Sequence, residues 1–172
     1  MNLRTYILAL FLGTFSLQAL AQQDTSQFNS DELFKVGREL CFNKKRERGR
    51  YWLDKALEIS PTYHDIRIFK ARTLAWDDKY DEASGQLWIV LDDEPRNLDA
   101  IMALVDVYNW SDQTDSLLFI TNYGLKRYPT NQDLLLAMAK ALIEKEKRRD
   151  AVVILQQLLN INPANESAQE LL

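Results

Sequence analysis

The sequence predicts an all-α protein, an array of helix pairs built on a 34-residue step. Three observations carry this reading. The chain of 172 residues has four prolines, Pro61, Pro95, Pro129 and Pro163, each 34 residues from the next. Asp31, Asp65, Asp99 and Asp133 keep the same step, as do Asn29, Asn97, Asn131 and Asn165, with Tyr63 in the one gap. Apolar residues recur at helical three- and four-residue steps, and the period-two alternation of a half-buried strand is missing. A fixed period in several residue types marks stacked units of supersecondary structure.

The first segment stands apart from this array. Residues 1–21 carry Arg4 near the start, an apolar run from Tyr6 to Leu12, and the small-residue close Ala19-Leu20-Ala21. This pattern predicts a cleaved secretory signal peptide. Gly13, Thr14, Ser16 and Gln18 interrupt the run, which falls short of the roughly 20 apolar residues of a membrane span. The only cysteine, Cys41, follows the charged stretch Gly37-Arg38-Glu39-Leu40, so lipidation is not expected. Residues 22–29 read as a short polar, flexible leader. The expected mature chain is an exported, periplasmic protein, with association to the outer membrane as a variant of the same expectation, and it contains no membrane span. Cleavage removes only Arg4 among the charged residues, which moves the net charge from −4 to −5. A mildly acidic chain has no general attraction for nucleic acid or anionic lipid. A lone cysteine has no partner for an internal disulfide, and burial as a small hydrophobe is expected for Cys41.

The array fills residues 30–172. Its four units cover 30–63, 64–97, 98–131 and 132–165. The periodicity predicts helices over 30–43 and 48–59, 64–77 and 81–93, 98–111 and 115–128, and 132–145 and 149–161. Each unit opens with the same chemistry. In Pro95-Arg96-Asn97-Leu98-Asp99, the proline stops the preceding helix. Asn97 can cap the next one, and Asp99 meets the positive end of its dipole. Pro129-Thr130-Asn131-Gln132-Asp133 repeats this, Asn29-Ser30-Asp31 does so without the proline, and Asn165-Glu166-Ser167 begins it a fifth time. Residues 166–172 are expected to form a helical stub that covers the apolar edge of the fourth unit, since repeat arrays need a terminal cap. Where paired helices cross, small residues stand in register. One column reads Gly37, Ala71, Val105 and Ala139, a second Gly49, Ala83, Leu117 and Ala151, and a third Ala56, Val90, Gly124 and Leu158. The third unit carries the bulky Val105 and Leu117 and is expected to be the least regular, with Gly124 compensating.

These small-residue columns, the proline stop and the 34-residue step resemble the tetratricopeptide repeat family over residues 30–165. The resemblance implies a right-handed superhelix of antiparallel helix pairs, with a concave groove lined by the first helix of each pair. A narrower likeness rests on Ala71-Arg72-Thr73-Leu74-Ala75-Trp76-Asp77, Tyr80-Asp81-Glu82-Ala83 and Asp106-Val107-Tyr108-Asn109-Trp110-Ser111. With Gly124-Leu125 and Tyr128-Pro129, it is similar to the periplasmic repeat region that precedes the barrel in YaiO-type outer-membrane β-barrel proteins. Nothing in this chain could form that barrel, which needs many alternating strands of about 10 residues. Barrel function is therefore not carried over.

The residues offer no catalytic constellation, no metal site and no cofactor motif, and the chain is read as not an enzyme. The single histidine, His64, sits beside Asp65 at a helix start and reads as a local contact. Asp92-Asp93-Glu94 and Asp77-Asp78 lack the glycine-containing loop of a calcium hand and read as solvated helix ends.

The informative surface is the groove. Successive first helices place Phe34, Ile68, Met102 and Leu136 in one row. Arg38, Arg72, Asp106 and Lys140 form a second row, and Phe42, Trp76, Trp110 and Glu144 a third. The candidate partner-binding residues are Phe34, Arg38, Phe42, Ile68, Arg72, Trp76, Met102, Asp106, Trp110 and Lys140. Aromatic residues with arginine nearby are what binding hot spots use. The expected partner is a protein or peptide, an envelope protein in this compartment, with apolar anchors and a carboxylate for Arg38 and Arg72. Trp76 and Trp110 can pack between repeats or touch a ligand, and both roles stay open. The family's clamp for C-terminal carboxylates wants Lys and Asn where this chain has Phe34, Arg38, Ile68 and Arg72, so that ligand is not expected. The turns add a charge pattern. Lys44 to Arg50 and Lys145 to Arg149 are basic, while Asp77, Asp78, Asp81 and Glu82 are acidic. They form either a solvated edge or a surface for self-association; the oligomeric state is left open. The functional expectation is a non-enzymatic exported scaffold that binds a protein partner through its concave face. The alternative is a periplasmic accessory module of an outer-membrane barrel or polysaccharide-export assembly.

Overall fold

The computed structural model describes residues 28–172. The expected signal peptide and the leader up to residue 27 lie outside the described residues. From Asn29 onward, the cap chemistry of the sequence becomes geometry. Asn29, Asn97, Asn131 and Asn165 sit in extended backbone directly before α1 (Ser30–Phe42), α5 (Leu98–Trp110), α7 (Gln132–Glu144) and α9 (Glu166–Leu171). Each asparagine side chain accepts a hydrogen bond from the N–H three residues on, at 2.9–3.0 Å. At α1 the Glu32 carboxylate also accepts from the Asn29 N–H at 3.1 Å, while Phe28 packs into the cluster that holds Leu33. That is a capping box closed by a hydrophobic staple. α3 (His64–Ala75) starts at Tyr63, which makes no side-chain cap. Tyr63 instead turns a ring edge to Phe34 and hydrogen-bonds Asp31, whose carboxylate holds the phenol above its ordinary pKa.

The second helices are α2 (Arg46–Ile59), α4 (Tyr80–Asp93), α6 (Thr114–Leu125) and α8 (Arg148–Ile161). Each is followed by a tight turn with proline in its second position. There the N–H of Tyr63, Asn97, Asn131 and Asn165 reaches the carbonyl three residues back at 2.9–3.1 Å. The turn inside each pair uses a different device. Lys44, Asp78, Asp112 and Glu146 hold φ of 60°, 58°, 54° and 58°. The residue after each donates back to a carbonyl five residues earlier (Lys45 to Leu40, Lys79 to Leu74, Gln113 to Tyr108, Lys147 to Leu142) at 2.8–3.0 Å. This is a Schellman ending with a left-handed residue, repeated four times without one glycine.

Packing follows the same step. Each first helix lies against its own second helix, and each second helix against the first helix of the next unit. First helices of neighbouring units also approach closely by their backbones, α1 to α3, α3 to α5 and α5 to α7, whereas the backbones of successive second helices stay farther apart, with α4 and α6 meeting through the Trp88 ring, 6.1 Å from those of Phe119 and Tyr123. The array therefore curves with its first helices inside. Leu33, Leu53, Ile66, Leu87, Ile101, Leu104, Ile120, Leu134, Leu155 and Leu158 are at most 1% exposed along the core. Burying each stabilises the fold by roughly 1.5–3 kcal/mol. α9 lays Ala168 and Leu171 against Leu135, Ala139, Leu155 and Leu158, and so covers the last unit.

Two crossings explain the glycine columns. A Cβ on Gly49 would lie 2.2 Å from the Cys41 Sγ and 2.7 Å from the Gly37 carbonyl oxygen, so α1 and α2 meet backbone to backbone. In the third unit, a Cβ on Gly124 would lie 2.7 Å from Leu134 and 3.0 Å from Ile101. The same Gly124 carbonyl accepts from both Arg127 and Tyr128 at 2.9 and 2.8 Å, which tightens the chain and ends α6 at Leu125 rather than at the expected 128. The other boundaries fall within two residues of expectation.

The charged turns are partly consumed within the array. Asp77 accepts from Arg46 at 2.6 Å and from Arg50 at 2.7 Å, and Lys145 reaches Asp115 at 2.7 Å. The basic first turn thus serves its acidic neighbour, which leaves less of the edge for self-association than the sequence suggested. His64 also departs from expectation. Its Nε2 meets Asp93 at 2.7 Å and Glu94 at 3.7 Å, at the end of α4, instead of the adjacent Asp65.

Candidate partner-binding groove

The concave side is built from side chains at i, i+4 and i+8 of each first helix, which share one helical face. α1 supplies Phe34, Arg38 and Phe42, and α3 supplies Ile68, Arg72 and Trp76. α5 supplies Met102, Asp106 and Trp110, and α7 supplies Leu136, Lys140 and Glu144. Between α1, α3 and α5 they leave an open cleft of about 340 Å³, lined by Phe34, Arg38, Asp65, Ile68, Phe69, Arg72 and Asp99.

The aromatic residues of α1 and α3 form one cluster. Phe69 stands 5.8 Å from Phe34, 5.7 Å from Phe42 and 6.1 Å from Trp76 by ring centroids, and Phe42 lies 6.1 Å from Trp76. Edge-on and tilted ring pairs at such distances contribute about 0.5–1.5 kcal/mol each beyond burial. Arg46 sits over Trp76 and Arg38 over Phe34. Phe69 is the groove residue that sequence reasoning missed. Its column reads Lys35, Phe69, Ala103 and Ala137, so no row repeats the signal, and the clue is only its position one residue beyond Ile68.

The structure separates the two tryptophans. Trp76 packs on Phe42, Phe69 and Arg46. Trp110 is 47% exposed and stacks on no other ring among the described residues. Phe42 keeps 65% of its surface exposed in spite of its ring partners. Ile68, at 6% exposure, belongs to the core and offers the cleft only its edge, and Met102 packs against the central core as well. Lys140 is exposed and has no ion pair among the described residues.

The electrostatics of the groove are unbalanced. Asp106 is half-buried, and desolvation pushes its carboxyl above the ordinary value against the weaker pull of Arg72. It has no hydrogen bond among the described residues. The Arg72 Nε is buried without a partner. Buried polar groups are normally satisfied, and these two groups are left without a hydrogen bond inside the array.

Elsewhere the chemistry is quiet. The buried Cys41 thiol is pushed above its ordinary pKa by desolvation, the opposite of an activated nucleophile. It lies against Gly49 and the Arg46 carbonyl, whereas His64 is held by Asp93 and Glu94. No group of three His, Cys, Asp or Glu residues able to hold a metal occurs among the described residues. No described helix is long and apolar enough to cross a membrane.

No protein-family model matches the chain, and no curated protein matches it. Solved structures do. A tetratricopeptide repeat protein from Parabacteroides merdae superposes with a TM-score of 0.75 at 16% identity, over 83% of this chain and 57% of that one. MamA from Desulfovibrio magneticus RS-1 gives 0.69 at 16% identity, over 82% and 80% of the two chains. MamA of strain AMB-1 gives 0.68 at 18% identity, over 92% and 90%. At such identities the likeness concerns the fold: the chain is a right-handed superhelical array of the tetratricopeptide-repeat type. The narrower likeness to YaiO-type proteins rests on sequence alone.

Proposed function

We propose that this protein is an exported, non-enzymatic scaffold that holds a protein or peptide partner, an envelope protein, in the concave groove of its first three repeats. The observation that carries the reading is the set of groups left over in that groove. Trp110 and Phe42 are exposed, the Arg72 Nε is unpartnered, and Asp106 is half-buried without a hydrogen bond. Binding through such a surface is complementarity on a preformed array, because the first helices are fixed by their own pairs and by each other. Export rests on the N-terminal pattern of residues 1–21.

The test replaces Arg72 and Trp110 together by Ala and compares capture of partners from solubilised envelope with the wild-type chain. Both side chains lie outside the fully buried core, so far-UV helicity is expected to stay within about a tenth of wild type while capture falls at least about tenfold, the scale of one hot spot. Unchanged capture would move the binding site off this groove. Fractionation of cells expressing the full chain, with N-terminal sequencing of the product, tests export. A cytoplasmic, uncleaved product contradicts it.

A further inference from the structure

We propose that the groove recognises an amphipathic helix whose apolar stripe is flanked by acidic residues on one side and basic residues on the other. This rests on the reading of the groove as a partner site and adds the partner's chemistry. Two charged rows run across the first helices. Asp65 and Asp99 stand in the first turns of α3 and α5, and Arg38 and Arg72 line the same cleft farther along α1 and α3. Phe34 and Ile68 lie between the rows. Asp65 and Arg72 are seven residues apart on one helix. At 1.5 Å per residue, the rows are about 10 Å apart, close to the diameter of an α-helix with its side chains.

The rows are not consumed by ion pairs inside the array. Asp65, Asp99, Arg38 and Arg72 make none among the described residues, Arg38 lies over the Phe34 ring, and Arg72 faces Asp106. The spacing along the groove also suits a helix. Packed neighbours such as α3 and α5 lie about 8–10 Å apart. A helix crossing them meets a new member of each row about every five to seven of its own residues, at 1.5 Å per residue. The partner therefore repeats its apolar anchor and its two charged flanks at about that interval, and a heptad, which returns to the same helical face, is the nearest repeat that keeps the flanks aligned. Asp106 follows Arg38 and Arg72 in the basic row and reverses its sign, so the partner's acidic flank covers two heptads and gives way to a base opposite the third repeat.

The test uses two synthetic helical peptides of about three heptads each, identical in composition, with Leu at every seventh position. In one peptide, Lys precedes every Leu, Glu follows the first two Leu and Lys follows the third, so that the charges segregate to the flanks the two rows require and change sign where Asp106 stands. In the other, the same charges alternate between the flanks. Fluorescence anisotropy with the full chain at low salt is expected to show the segregated peptide binding at least about tenfold tighter, a preference that shrinks as salt screens the rows. In R38Q/R72Q the preference is expected to fall below about threefold, with the residual supplied by the acidic row. Equal affinity for the two peptides, or no binding of either, overturns the inference. The groove reading stands or falls separately, on whether Trp110 contacts the natural partner.

Discussion

Lys44, Asp78, Asp112 and Glu146 all hold positive φ at the turn inside a repeat. For a non-glycine residue, the left-handed region costs roughly 1–2 kcal/mol, less for Asp. Lys44→Gly and Glu146→Gly are therefore each expected to raise stability in urea by about 0.5–1 kcal/mol, and the same change at Asp78 or Asp112 by less. A loss of stability at Lys44 would contradict the turn geometry. Glycine has the opposite value in the helices. Gly85 is exposed, and a Cβ there would meet nothing within 4 Å, so Gly85→Ala is expected to gain up to about 1 kcal/mol from helix propensity. Gly49→Ala forces a Cβ into the Cys41 sulfur and the Gly37 carbonyl, and is expected to cost about 1–3 kcal/mol net. The left-handed turns were hidden in the sequence because Lys, Asp, Asp and Glu share no side-chain chemistry that marks the position. The crossing at Gly49 was visible because only side-chain size was at stake. Two carboxylates set opposite pH trends. Burial raises Asp106, so its ionised form destabilises the fold at neutral pH, and that cost disappears as pH falls through the folded-state value. Asp106→Asn is expected to exceed wild type in stability at pH 7 by less than about 1 kcal/mol and to converge with it in acid. Partial burial raises Asp77, but hydrogen bonds from Arg50 and Arg46 outweigh it and hold the carboxyl low. Its contribution is complete above the ordinary carboxylate range and is lost as pH falls through the lowered value. Asp77→Asn should therefore remove that acid-side loss, at a cost near neutrality of about 1 kcal/mol.

At the scale of the element, the repeats are defined by how helices stop and start. Proline turns and asparagine caps are local chemistry, so the helices could be read from columns of one residue type, and their ends fall close to the expected places. The exception, α6, ends early because Gly124 accepts two backbone donors, a bond pattern that no single residue type announces. Charge pairs between repeats were less legible. Arg46 and Asp77 are 31 residues apart, and only the superposition of neighbouring turns brings them together. The caps carry a graded prediction. Asn97→Ala or Asn131→Ala is expected to cost about 1 kcal/mol in chemical denaturation. The terminal helix carries a larger one. Removing residues 166–172 uncovers Leu135, Leu155 and Leu158 and is expected to lower the unfolding midpoint, with hydrogen exchange accelerating in α8 before α1. Uniform exchange along the array would contradict the role of α9 as a cover, since repeat arrays lose stability from an uncapped end.

For the whole molecule, curvature converts the 34-residue step into a binding surface. First helices touch along the inside, and of the i, i+4, i+8 sets Phe34, Arg38, Ile68 and Arg72 line one cleft, a placement that the period alone anticipates. Which members of the rows stay available depends on neighbours that only the folded array supplies. Trp76 is drawn into the Phe69 cluster, Ile68 sinks into the core, and Trp110 remains uncovered. The central claim is that the partner lies in this groove and not on the outer face, where Phe119 is 59% and Val153 62% exposed. A photo-reactive residue placed singly at position 110, 42, 119 or 153 of the full chain, activated in intact cells, tests it directly. The account predicts a specific cross-linked partner from positions 110 and 42 and none from 119 or 153. Cross-links confined to 119 or 153 would contradict it.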